Sequence, residues 1–264
     1  MSELRGFRRV ANAMWSPPND PQIYGALDID AGNTLRFIEN ARAHGKHITP
    51  THLVGRAVGL ALRAVPDLNV RIVGTRALPR PSIDVFFITA VESGRDLSGV
   101  KLRSIDCMSA VDVGEALGAR ARKLKAGHDS EFQRTKRWTD RLPRSALRAA
   151  LHTSALLTER FQLEVPGLAL HRSPFGSAMI TSVGMFGLPQ GFAPLSWMYD
   201  VPLLVLVGEI VERPVVVNHQ VVARPVIPIT ATIDHRYVDG FHISGAMAAL
   251  RGYLEDPAAM EPAL

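Results

Sequence analysis

Strand-type segments fill the last third of the sequence and constrain the fold more than any other feature. Each is rich in Val, Ile, Leu or Thr and is bounded by Gly, Pro or Asn, a composition that predicts β-strands. The dipeptide Asn218-His219 joins two of them as the turn of a hairpin. The segments are SAMITSVG (177–184), PLLVLVGEIV (202–211), PVVV (214–217), QVVAR (220–224) and VIPITATI (226–233). These segments predict that the last third of the chain forms a β-sheet.

Helical periodicity marks most of the remaining chain. Apolar residues recur every three or four positions in several stretches, which predicts amphipathic helices. The predicted helices cover 33–44, 51–65, 109–126, 143–161 and 241–254, and two further strands cover 22–29 and 83–91. Because we find no internal repeat and no linker rich in Gly and Ser, the sequence predicts a single mixed α/β domain over residues 1–264.

Composition excludes several classes of protein. With 47% hydrophobic and 21% charged residues, the chain is neither disordered nor collagen-like. Its single cysteine, Cys107, can form no internal disulfide and no Cys-rich zinc site, and we expect it in the core. The first ten residues lack the apolar core of a signal peptide, which predicts a cytoplasmic protein. Prolines and glycines interrupt the longest uncharged run, 173–199, so no transmembrane segment is expected.

Basic residues concentrate in one stretch. Between Gly118 and Arg148 the sequence has ten Lys and Arg against three acids, in a chain of net charge +5. The surrounding segment, 104–172, could contact the phosphates of a small ligand, an acidic carrier protein, nucleic acid or an anionic membrane, and a solvated helical face is an equally good interpretation. Only Phe132 and Trp138 are aromatic within the basic stretch, so no nucleic-acid binding is predicted. Membrane attachment is the weakest of these alternatives.

The segment TATIDHRYVDG (230–240) is the most informative for chemistry. An apolar strand ends there in the polar residues Asp234, His235, Arg236 and Asp239. A histidine at a rigid strand end can act as a general base near neutral pH. The alternative is that His235 is a surface residue in a charged turn. His219 and His242 have no ligand-like spacing with Asp or Glu, and GxGxxG and P-loop motifs are absent, so we predict no metal, dinucleotide or ATP site.

This segment resembles the DHRxxDG active-site motif of the dihydrolipoamide acyltransferases of 2-oxo acid dehydrogenase complexes. FGSAMITSVGMFG (175–187) is similar to the GTFTxSNxGMFG segment of that family. ITPTHLVGRAVGLALRAVPDLNVRI (48–72) is similar to its buried helix ending in a Pro-x-Leu-Asn turn, and LEDP (254–257) to its usual ending. The similarity covers roughly 10–100 and 175–257, most of the chain.

The resemblance implies a chloramphenicol acetyltransferase-like fold, a mixed sheet flanked by helices, in a homotrimer with active sites at subunit interfaces. Some members build larger cages from such trimers. It also implies an acyltransferase that moves an acyl group between CoA and a thiol, hydroxyl or amine acceptor, with acyl-CoA as a substrate. Because full-length members begin with a lipoyl domain that this sequence lacks, we expect no covalently bound lipoyl group here and a separate lipoyl or acyl-carrier protein as partner.

The resemblance further implies the roles of individual residues. His235 is the general base that takes the proton of the acceptor as it attacks the thioester. Thr181 occupies the position of the family's oxyanion-stabilising serine, and Ser182 is the fallback donor. Asp239 would hold the geometry of the site, usually through an arginine. Residues that bind CoA are not assigned.

Two positions depart from the family pattern. Ala13 stands where members carry that arginine, which leaves Arg8, Arg9 or Arg236 as candidate partners of the motif aspartate. Gln22 stands where the family often has histidine after proline. Ala13 and the expected absence of a lipoyl arm motivate an alternative function, a non-catalytic scaffold that forms trimers or cages on the same fold.

Overall fold

The computed structural model describes residues 20–91, 96–125, 143–165 and 170–263. The strands are β1 (Gln22–Asp30), β2 (Val70–Val73), β3 (Arg76–Pro79), β4 (Val85–Val91), β5 (Asp96–Leu102), β6 (Ala178–Ser182), β7 (Leu203–Val207), β8 (Val211–Val217) and β9 (Gln220–Asp234). The helices are α1 (Gly32–Ala43), α2 (Pro50–Ala64), α3 (Ala110–Lys125), α4 (Arg144–Ala155) and α5 (Gly240–Glu255). These elements confirm the mixed α/β class.

The main sheet has the strand order β1-β9-β7-β6-β4-β5, with β8 paired to the first half of β9. Strands β4, β6 and β7 are parallel, and the other pairs are antiparallel. The segments predicted at 220–224 and 226–233 form one long strand, β9. At the hairpin turn Asn218 and His219 both have positive φ, 50° and 63°, as a two-residue turn between twisted strands requires.

The two faces of the sheet are covered differently. Helices α1, α2, α3 and α5 pack on one face and form the main core, to which β6 contributes Ala178 and Ile180. Because side chains alternate along a strand, Met179 points to the opposite face, where it joins a smaller cluster with Leu195 and Leu204. The long connection from β6 to β7 covers this second face. None of the helices described between residues 20 and 263 is long and apolar enough to cross a bilayer.

The predicted helix 143–161 differs from the observed one. Helix α4 ends at Ala155 and continues as a π-helical turn, Leu156–Arg160. A π turn adds a residue and rotates the following side chains, so Thr158 and Glu159 are buried while Phe161 is 61% exposed. The apolar face predicted for this helix is therefore not its buried face.

The predicted burial of Cys107 is wrong, and several other predicted residues lie outside the described part of the chain. Cys107 is exposed at the end of a short 3-10 helix, so its placement in the core was wrong. Residues 126–142, the centre of the basic stretch, lie outside the described part of the chain, as do Arg8, Arg9 and Ala13.

Candidate active site

His235 is the first residue after β9, at the edge of the sheet where β1 begins. Its side chain is exposed, and its backbone N–H donates to the carbonyl of Pro21 at 2.9 Å. The pairing of Gln22 with Asp234 in the β1–β9 register brings these chain segments together. The long, doubly paired strand thus delivers the histidine to a rigid, solvent-accessible position.

An ion pair fixes the turn that contains His235. The Asp234 carboxylate is buried, and the Arg236 guanidinium donates to both of its oxygens, with Nη2 at 2.5 Å and Nε at 3.0 and 3.1 Å. The backbone N–H of Arg236 also donates to Asp234 Oδ1 at 3.0 Å. The residues on either side of His235 are therefore bound to each other, which restricts the histidine backbone.

Asp239 caps the N-terminus of α5. Its carboxylate accepts hydrogen bonds from the backbone N–H groups of Phe241 and His242, at 3.0 and 3.3 Å, and lies 2.7 Å from Nδ1 of the His242 ring. The hydrogen bonds from His242 and the helix backbone hold the pKa of Asp239 below its ordinary value. Arg236, one of its candidate partners, is committed to Asp234 instead.

Thr181 and Ser182 lie at the end of β6, on opposite faces of the sheet. Thr181 shares the face of Met179, which the β6–β7 connection covers, whereas Ser182 shares the helix-covered face of Ile180. Both side chains are half-buried. Within the described chain neither hydroxyl has a hydrogen-bond partner, so Thr181 has a donor available to a substrate on the second face.

Glycines shape the turn that follows Thr181 and Ser182. In the segment Gly184–Phe186 a 3-10 helix forms, and Gly187 then adopts φ 72°, in the left-handed region that favours glycine. A Cβ on Gly184 would lie 2.8 Å from the carbonyl oxygen of Gly208. The Gly-Met-Phe-Gly motif thus lets the chain turn tightly beside the end of β7.

Thr181 and His235 lie at opposite ends of the sheet within one chain. Thr181 pairs with Leu206, and Leu206 pairs with Thr230, five residues before His235. At about 3.3 Å per residue, the two side chains are separated by roughly 16 Å along the strands. The structure therefore brings together His235 and Asp239 at one end and Thr181 and Ser182 at the other.

Gln22, the position at which the family often has histidine, lies beside His235. Its Oε1 accepts from the backbone N–H of Leu195 at 3.1 Å, and its Nε2 donates to Asp20 at 2.7 Å. The residue thereby connects the start of β1 to the β6–β7 connection. Tyr24 makes a second contact of this kind with Phe192, edge to face at a centroid distance of 5.2 Å.

A buried polar network near His235 escaped the sequence predictions. Arg80 pairs with Glu159 at 3.4 Å and donates to the carbonyl of Asp200 at 2.8 Å. Burial raises the pKa of Glu159, an effect that the Arg80 charge opposes. Burial also raises the pKa of Tyr237 to about 12, and the Tyr237 hydroxyl has no hydrogen-bond partner in the described chain. The sequence signal for this network was Glu159, the single acid of the predicted helix 143–161.

A family model described as 2-oxoacid dehydrogenases acyltransferase (catalytic domain) matches residues 2–134 and 171–261. Among curated relatives, the dihydrolipoyllysine-residue acetyltransferase component of the acetoin cleaving system of Bacillus subtilis is 25% identical over 217 residues, covering 82% of this chain and 44% of that protein. The chain spans about half the length of the curated relatives it matches.

Solved structures share the fold. A probable dihydrolipoamide acetyltransferase from Listeria monocytogenes has a TM-score of 0.68 at 18% identity, covering 100% of this chain and 97% of that one. The cubic core of a pyruvate dehydrogenase multienzyme complex has a TM-score of 0.66 at 16% identity, with 91% and 84% covered. Together with the motifs around Thr181 and His235, the family match shows that this chain belongs to the 2-oxoacid dehydrogenase acyltransferases, as a catalytic domain of that family.

Proposed function

We propose that this chain transfers acyl groups between CoA and a thiol acceptor, at a site that two copies of the chain build together. One copy supplies His235 and the other supplies Thr181. The observation that carries this proposal is the placement of the two residues at opposite ends of the sheet. A base and an oxyanion donor must both lie about 3 Å from the reacting atoms, which a single copy cannot provide.

The proposed reaction is direct transfer without an acyl-enzyme. The imidazole of His235 takes the proton of the acceptor thiol while the sulfur attacks the thioester carbonyl carbon. The Thr181 hydroxyl of the second copy donates a hydrogen bond to the oxyanion, an interaction worth on the order of 3 kcal/mol in the transition state. Collapse of the tetrahedral intermediate breaks the bond to the CoA sulfur, which leaves with the proton from His235.

An exposed apolar surface supports association between copies. It lies along the second face of the sheet and comprises Tyr24, Met185, Phe186, Leu188 and Phe192, each about half or more exposed. Apolar side chains grouped in this way are typical of protein interfaces. The surface extends from the Thr181 end of the sheet towards the His235 end, as a shared site requires. A trimer is the assembly that we propose, and its growth into a larger cage and its cytoplasmic location stay predictions.

The names of the curated relatives indicate the acceptor class. They are transferases that act on a dihydrolipoyllysine residue, with acetyl or succinyl groups. We therefore propose a dihydrolipoyl thiol as the acceptor of this chain, presented by a lipoyl-bearing protein or domain, and acyl-CoA as the donor.

The test is complementation between two inactive variants. We expect His235→Ala and Thr181→Val each to lower the rate of CoA release from acyl-CoA by about 100-fold, with dihydrolipoamide as acceptor. When the two variants are coexpressed with different affinity tags, one of the three interfaces in each mixed trimer combines an intact His235 with an intact Thr181. Purified mixed oligomers should recover activity in that proportion.

The controls separate three outcomes. The double variant His235→Ala/Thr181→Val, coexpressed with either single variant, has no intact site and should remain inactive. Mixed oligomers without recovered activity would contradict the shared site. A wild-type protein without turnover on any acyl-CoA would instead favour the non-catalytic scaffold.

A further inference from the structure

A segment of this chain lies outside the family match and presents apolar side chains to solvent. The family model leaves 135–170 unmatched, and the described part of this region, 143–165, comprises α4, the π turn and the residues after it. Five of its apolar side chains are 36–61% exposed: Leu151, Leu156, Phe161, Leu163 and Val165. We call these five residues the outer apolar surface.

Positive charge accompanies the outer apolar surface. Arg148 and Arg160 belong to the same segment and are exposed. Arg172 follows the segment, but its Nε lies 3.9 Å from Oε2 of Glu164, the exposed acid of the segment, so these two charges offset each other. In the sequence, the stretch with ten basic and three acidic residues runs directly into α4. An apolar centre with a charged rim is the usual composition of a protein interface, and the sign of this rim selects an acidic partner.

The inner side of the segment is anchored close to the strand end that carries His235. Glu159 pairs with Arg80, and Arg80 donates to the carbonyl of Asp200. Two residues later, the carbonyl of Pro202 accepts from the backbone N–H of Asp234 at 2.9 Å. Ser154 adds a hydrogen bond to the Tyr199 hydroxyl at 3.0 Å. A partner on the outer apolar surface would therefore sit near the strand end that carries His235.

We propose that the outer apolar surface and its basic rim are the docking site for an acidic protein domain that carries the thiol acceptor. This inference rests on the proposed function, because it assumes that the acceptor is protein-borne. Docking at this place raises the local concentration of the thiol near His235, and the basic rim accelerates encounter with an acidic domain.

The geometry favours a protein partner over a membrane. Helix α4 has only twelve residues, and its apolar positions are mostly alanine. The larger exposed side chains, such as Phe161 and Leu163, follow the helix in irregular chain, with Glu164 among them. A helix that lies in a bilayer interface instead has a continuous stripe of large apolar residues.

The test compares one acceptor in two forms. An acidic lipoyl domain in its dithiol form and free dihydrolipoamide are each assayed with wild type and with the double variant Arg148→Glu/Arg160→Glu. We expect the variant to lose about tenfold in kcat/KM for the domain, mainly through KM, and less than about twofold for free dihydrolipoamide. The loss should shrink as salt is raised. Phe161→Ser should likewise lower kcat/KM for the domain more than for free dihydrolipoamide.

As a matched control, Arg42→Glu/Arg251→Glu makes the same charge change on α1 and α5. It should leave kcat/KM unaffected for both acceptors. The docking site would be overturned if the double variant lost kcat/KM equally for both acceptors or lost none for the domain. It would also be overturned if the charge change shifted the oligomeric state or the binding to phosphatidylserine vesicles. If wild type uses neither acceptor, the proposed function fails. Calorimetric titration of wild type and of the double variant with the domain then tests docking directly. No binding to wild type, or equal affinity for wild type and the double variant, would overturn the docking site.

Discussion

The two ends of the main sheet are built in opposite ways. At the His235 end, a buried carboxylate, an ion pair and a capped helix hold the turn on both sides of the histidine. At the Thr181 end, a short glycine turn leaves the Thr181 and Ser182 hydroxyls without partners in the described chain, next to the exposed side chains of Met185 and Phe186. At the His235 end these polar groups find their partners within one chain. At the Thr181 end the hydroxyls and apolar side chains are left available to a substrate or a second copy.

This difference indicates that the catalytic groups are divided between the two ends of the main sheet. A proton acceptor must be held in one orientation, and local ion pairs can do that within one copy. An oxyanion donor has to remain unsatisfied until the transition state forms, so it is left free beside an apolar surface.

The largest effect is expected at the Thr181 end. Thr181→Val removes the hydroxyl but keeps the shape, and we expect a loss of about 100-fold in kcat with little change in the thermal unfolding of the protein. Ser182→Ala is the matched control, because Ser182 points to the helix-covered face, and it should stay within about threefold of wild type. A larger loss in Ser182→Ala than in Thr181→Val would assign the oxyanion donor to Ser182.

An intermediate effect is expected at the His235 end. Asp234→Asn removes the ion pair to Arg236 and should lower kcat about tenfold and the free energy of unfolding by about 2 kcal/mol, the scale of a hydrogen bond to a charged group. As control, Arg213→Gln breaks the more exposed pair with Asp28, whose atoms are 2.6 Å apart, and should cost less than about 1 kcal/mol. Urea denaturation and steady-state kinetics measure both, and an unchanged kcat in Asp234→Asn would dismiss the ion pair as a positioning device.

The smallest effect concerns Asp239 and pH. Because hydrogen bonds from His242 and the helix backbone lower the pKa of Asp239 in the folded state, its carboxylate stabilises the fold above the ordinary aspartate pKa. That contribution is lost as pH falls through the lowered value. Asp239→Asn should therefore slightly lower Tm at neutral pH and match wild type in strong acid. A Tm difference that is the same at both pH values would contradict this charge effect.

Much of the fold could be predicted from the sequence because its signals are local. The apolar period of α2 and the buried positions Leu250 and Leu254 of α5 follow from helical spacing, and the structure confirms them. The motif residues His235, Asp239, Thr181 and Ser182 were named from the sequence, and their roles remain predictions. The π turn after α4 escaped prediction because an extra residue changes the helical phase without any local signature.

The sequence by itself indicated most of the long elements, the family and the candidate residues, because periodicity and motif spacing are properties of neighbouring positions. The strands β2, β3 and β5 were not predicted. Only the tertiary structure decided which elements and residues meet. It committed Arg236 to Asp234, buried Glu159 against Arg80, and separated Thr181 from His235 along the strands. These pairings depend on strand register and on desolvated charges finding partners across large sequence separations, and neither can be deduced from the order of residues alone.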